Sequence, residues 1–147
     1  MTGTFEGIGT LQFSPDNKYA YAYGGVINTD DQDVAVTLLE ITTGSEYLIA
    51  KLQFGVKHDT GNNMSFGVYL NTIRISGYAI EGGTSDAQLS NYMPIIIPPF
   101  TTLKCDGTNN SSSNDIPLTC TLVAKVKGAI QQENLEAITN NNKWASK

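Results

Sequence analysis

Apolar residues in this chain recur at every second position, in short runs cut by clusters of Gly, Asn, Asp, Ser and Thr. The clearest run is EYLIAKLQFGVK, Glu46 to Lys57, where Leu48, Ala50, Leu52 and Phe54 oppose Tyr47, Ile49, Lys51 and Gln53. A period of two sends alternate side chains to opposite faces of an extended strand, so the first set reads as the core face. YAYAY, Tyr19 to Tyr23, places three tyrosines on one face and two alanines on the other. VAVTLLEIT alternates through Val34, Val36 and Leu38, then changes phase to Leu39 and Ile41. A phase change of that kind marks a bulge or burial on both faces.

MSFGVYL and TIRISGYAI follow, with Asn71-Thr72 as a tight connection between Leu70 and Ile73, and LTCTLVAKVKGAI closes the series. NTDDQD, TTGSE, KHDTGNN, EGGTSD and DGTNNSSSND punctuate the runs as turns. Seven or eight short strands at even spacing, without intervening helical patterns, predict an all-β antiparallel sandwich or single jelly roll.

MPIIIPPFTTLKC, Met93 to Cys105, sharpens that expectation. Ile95 to Ile97 read as buried strand, yet Pro98 and Pro99 interrupt them. Proline donates no ladder hydrogen bond and is confined to edges, bends and strand starts. A strand that bends at a corner of a two-sheet sandwich and switches sheets accommodates both prolines; an interior strand of a flat sheet does not.

The domain is expected over residues 19–130, with an N-terminal arm over 1–18 and a C-terminal tail over 131–147. The N-terminal arm carries Phe5, Ile8, Leu11 and Phe13 among glycines. The tail holds the one helix-like stretch, about Gln131 to Thr139, with Ile130, Leu135 and Ile138 loosely on one side and Trp144 beyond. Both arms read as docking on their own domain or on neighbouring subunits.

Composition narrows the function classes. Charged residues are 16% of the chain, the net charge is −5, and the nine basic residues are scattered, so no stripe exists to track a phosphate backbone. No apolar run approaches the roughly 20 residues that cross a bilayer as a helix. The N-terminus lacks the basic and apolar regions of a signal peptide, which predicts synthesis in a cytoplasm.

Candidates for chemistry are few. His58 is the one histidine, in a polar loop. Asp59-Thr60-Gly61 matches an aspartic-protease triplet, but a lone copy needs a second carboxylate, and a turn with Gly61 at positive φ accounts for it. Asp30, Asp31 and Asp33 form an acidic turn without the glycine and distant glutamate of an EF-hand. Cys105 and Cys120 flank a loop-like stretch. If the flanking segments pair as a hairpin the thiols can form a disulfide; otherwise they are two small buried residues in neighbouring strands. Two cysteines and one histidine fall short of a four-ligand zinc site. Neither a metal nor a cofactor is expected, nor is an enzyme.

LLEITTGSEYLIAKLQF, SFGVYLNTIRISGY, MPIIIPPFTTLKC and CTLVAKVKGAI, taken together, resemble small single-domain jelly-roll proteins of virus particles. The likeness is strongest to the decoration (cement) proteins of tailed-bacteriophage heads, and it covers roughly Leu38 to Ile130. It implies a non-enzymatic protein of the outer capsid surface, commonly a homotrimer that clamps adjacent major-capsid subunits. Phe5, Ile8, Leu11, Phe13, Leu135, Ile138 and Trp144 are then the candidate contact residues, Trp144 first because tryptophan is a frequent interface hot spot. The alternative is a receptor- or carbohydrate-binding sandwich, for which Tyr19, Tyr21 and Tyr23 would serve as a stacking platform only if exposed.

Overall fold

The computed structural model describes residues 9–29, 32–56, 63–80, 88–110 and 116–128, and they form two antiparallel sheets packed face to face. In chain order the strands are β1 Gln12–Phe13, β2 Tyr19–Thr29, β3 Val36–Thr42, β4 Tyr47–Val56 and β5 Met64–Leu70. Then come β6 Ile73–Ile80, β7 Gln88–Leu89, β8 Met93–Ile97, β9 Thr102–Asn109 and β10 Ile116–Lys127. Sheet A runs β1-β2-β10-β4, with the two-residue β7 and then β8 both lying along the free side of β4. Sheet B runs β3-β9-β5-β6. Without the short β1 and β7, eight strands remain in the orders β2-β10-β4-β8 and β3-β9-β5-β6. That interleaving is a jelly roll, as the turn spacing predicted.

The alternation in the sequence decides which side chains enter the core. Leu48, Ala50, Leu52 and Phe54 of β4 are buried, and so are Ala20 and Ala22 of β2. Phe54 stacks on Phe66 of β5 across the two sheets, with ring centroids 4.7 Å apart. The phase change in β3 is a bulge. Register slips between Thr37 and Leu39, and both Leu38 and Leu39 are buried. Two glycines allow the layers to close. A Cβ on Gly107 would come within 2.7 Å of Leu118 and 3.0 Å of Leu38, and one on Gly24 would overlap the Leu38 carbonyl oxygen.

The double proline is the sheet switch. β8 ends at Ile97 in sheet A, Pro98 to Thr101 turn the corner, and β9 begins at Thr102 in sheet B. Thr43 ties the corner to the loop before β4: its hydroxyl donates to the Pro98 carbonyl at 2.6 Å and accepts the Thr101 N–H at 2.9 Å. The Phe100 N–H donates to Gly44 at 2.8 Å, which fixes Phe100 at φ 53° with its side chain 74% exposed.

One expectation changes, and one open alternative is decided. The isoleucine run is not uniformly buried: β8 is an edge strand, so Ile97 is fully inside while Ile96 is 60% exposed. Nor do the segments flanking the cysteines form a hairpin. β9 and β10 lie in opposite sheets, and the buried, reduced Cys105 and Cys120 thiols meet across the core.

Candidate functional site

The outer face of sheet A is built by the same alternation that fills the core. With Ala20 and Ala22 inside, Tyr19, Tyr21 and Tyr23 point out, and Tyr19 and Tyr23 are 54% and 40% exposed. Register extends this face across the sheet. Tyr19 lies beside Lys125, Lys125 beside Ile49, and Ile49 beside Ile96. The next row is Tyr21, Val123, Lys51 and Pro94. Between the rows sits a shallow hollow of about 390 Å³ lined by Tyr19, Ile49, Lys51, Pro94, Val123 and Lys125. Tyr21 and Tyr23 pack ring to ring at 5.2 Å, and the Lys51 ammonium lies 5.9 Å from the Tyr92 ring centre.

This surface was not legible from chain order. Lys51, Lys125 and Lys127 are far apart or merely alternate in the sequence, yet pairing of β4 with β10 sets them on one side of one sheet. The basic residues called scattered are therefore partly gathered. Three ammonium groups set among aromatic and aliphatic side chains, on the two central strands, make a mixed apolar and basic face on an acidic protein. Contiguous apolar exposure of this kind marks an interaction surface rather than an ordinary solvated one. Tyr19 and Tyr23 meet the exposure condition set for a stacking platform, while Tyr21 is half-buried.

The predicted contact residues are distributed differently. Leu11 packs against the core, and Phe13, 39% exposed, belongs to β1, which extends sheet A beside β2. Phe5, Ile8, Leu135, Ile138 and Trp144 lie outside the described residues, as do the expected helix near 131–139, His58, Asp59 to Gly61, Asp30 and Asp31. Asp33 is held in a turn: its N–H donates to Asn109 at 2.7 Å and its carboxylate accepts from Asn110 at 3.3 Å. Among the described residues, no three His, Cys, Asp or Glu side chains converge as a metal site, and no helix is long and apolar enough to cross a membrane.

Solved structures share this architecture. The likeness is to particles of infectious bursal disease virus. The match to the crystal structure of its VP2 subviral particle has a TM-score of 0.54 at 14% identity, over 76% of this chain and 33% of that one. Structures of the Gx and Gt strains each give 0.51 at 13% identity, over 76% of this chain and 33% of theirs. The chain thus spans about a third of the length of these matches. At this identity the correspondence is one of fold. No protein-family model matches the chain, and no curated protein does.

Proposed function

We propose that this chain is a non-enzymatic structural protein of a virus particle that decorates or cements the capsid. In this reading it acts as a homotrimer on the outer capsid surface and binds adjacent major-capsid subunits. It is made in the host cytoplasm and uses no cofactor, nucleic acid or membrane. The observation that carries the reading is the outer face of sheet A, where exposed aromatic and aliphatic side chains on four strands surround three lysines.

Charge argues for a ring rather than a two-fold pair. A two-fold contact sets the same patch against itself and would bring Lys51, Lys125 and Lys127 of two copies together. A heterologous contact instead sets the lysine-bearing face against a different surface of the next copy. In a chain with fourteen acidic and nine basic residues, that surface is acidic on average. Such a contact closes into a ring when the rotation between copies is a whole fraction of a turn, and three copies suit a capsid three-fold. The arms, with Phe5, Ile8, Leu135, Ile138 and Trp144, then reach the shell subunits.

Carbodiimide cross-linking of the purified protein, which joins a lysine amine to a facing carboxylate, followed by peptide mass spectrometry tests this surface. Intermolecular links are expected from Lys51, Lys125 and Lys127. Links confined to Lys104, on the other sheet, would contradict the assignment.

The exposed tyrosines favour a second reading, a receptor- or carbohydrate-binding module that stacks sugars on Tyr19, Tyr21 and Tyr23. Protection of these rings by a glycan, with no self-association at sheet A, would select it.

A further inference from the structure

The outer face of sheet B carries different chemistry. Register places Glu40 of β3, Lys104 of β9, Tyr69 of β5 and Arg74 of β6 in one row, with Thr37, Asp106, Gly67 and Gly77 in the next. Gly67 and Gly77 are cross-strand partners, so the floor between β5 and β6 has no side chains of its own. Neighbouring groups lie down over it. A Cβ on Gly67 would come within 2.7 Å of Asp106 Oδ1 and 2.9 Å of Tyr69 Cε1, and one on Gly77 within 2.6 Å of an Arg74 guanidinium nitrogen.

Beside these groups, toward the β5–β6 turn, lies a hollow of about 580 Å³ lined chiefly by Glu40, Tyr69, Asn71, Thr72, Lys104 and Asp106. That volume falls within the roughly 300–1,000 Å³ of small-ligand sites.

Its polar groups are held in place. Asp106 Oδ1 accepts the Gly67 N–H at 3.1 Å, which fixes the carboxylate and leaves its other oxygen with acceptor capacity. Asn71 Oδ1 accepts the Thr102 N–H at 2.9 Å, so its amide NH₂ keeps its donors. The Lys104 ammonium lies 5.8 Å from the centre of the Tyr69 ring. At the rim, Thr72 stands at φ 73° in the hairpin turn. A β-branched residue in the left-handed region is strained where glycine would not be, and such strain clusters at ligand sites.

The balance of charge selects the ligand class. Two carboxylates and one ammonium line the hollow, and Arg74 lies beside it. The site therefore concentrates neither a phosphate nor a bare cation. Fixed acceptors, fixed donors and one aromatic ring match a molecule whose ring bears several hydroxyls on an apolar C–H face. We propose that this hollow binds a neutral hexose-containing oligosaccharide. The site is on the sheet opposite the assembly face and stands whether or not the protein forms trimers.

The test is NMR titration of the ¹⁵N-labelled full chain with a panel of neutral gluco-, galacto-, manno- and N-acetylhexosamine oligosaccharides. At least one should shift the amides of Gly67, Gly77 and Thr102. Tyr69→Ala and the near-isosteric Asp106→Asn should each weaken that binding about tenfold or more, a separation well beyond titration error. Gly67→Ala keeps every binding group but displaces Tyr69 and Asp106, so it should weaken binding too. Asp106→Asn should keep the wild-type unfolding midpoint, so its loss cannot come from misfolding. Silence across the panel would overturn the proposal. So would shifts confined to Tyr19, Tyr21 and Tyr23 that Tyr21→Ser abolishes. Neither result would change the mass of the assembly, so this site and the structural role fail separately.

Discussion

Single residues in this fold owe their state to what lies opposite them in the other sheet. Cys120 is pushed well above the ordinary cysteine range, first by its hydrogen bond with Cys105 and then by burial. The folded protein therefore keeps this thiol protonated where the unfolded chain would release the proton. Stability from it is fully present below about pH 8.5, the unfolded cysteine value, and falls as pH rises beyond it. Urea midpoints measured from pH 7 to 10 should decline above pH 8.5, and Cys120→Ala should flatten the decline. Both thiols should resist iodoacetamide in the native state and react once urea unfolds the chain, because the thiolate is the nucleophile and neither sulfur is accessible. Rapid native labelling would contradict the packing described. The two alternatives left open for these cysteines, a disulfide across a hairpin or two buried free thiols, show where sequence runs out. A polar loop between two extended segments looks the same locally whether the strands pair or cross the sandwich.

At the scale of elements, pattern and turn chemistry were readable and orientation was only partly so. The core face of β4, the bulge in β3, the Asn71-Thr72 turn and the sheet switch at Pro98 and Pro99 all follow from local rules. The outward Ile96 does not, because a three-isoleucine run carries no alternation to read. The lysine cluster does not either, because register between β4 and β10 is a long-range property. Phe54 and Phe66 join the sheets at the centre, so Phe54→Ala should cost about 3–5 kcal/mol in urea unfolding. A cost under about 1 kcal/mol would mean the rings do not bridge the layers. Thr72→Gly relieves the left-handed residue of the turn and should stabilise by about 1 kcal/mol, less whatever glycine adds to unfolded-chain entropy. Destabilisation instead would show that the threonine side chain contributes more than its backbone strain removes.

As a whole molecule the protein presents two unlike outer faces on one jelly roll, aromatic and basic on sheet A, polar and charge-balanced on sheet B. In the reading proposed above, one side meets other subunits while the other meets a small ligand. Composition indicated an assembly-type protein only by lacking catalytic groups; the fold supplied the surface by bringing distant strands together. The central claim is that sheet A holds copies of the chain together, and light scattering of the purified protein beside Val123→Glu tests it most directly. Val123 is exposed at the middle of that face, so the substitution leaves the core intact while setting a carboxylate in the contact. The account predicts a wild-type mass near three times the 15.8 kDa chain and a monomeric, folded variant. A monomeric wild type, or a trimer that Val123→Glu leaves unchanged, would contradict it.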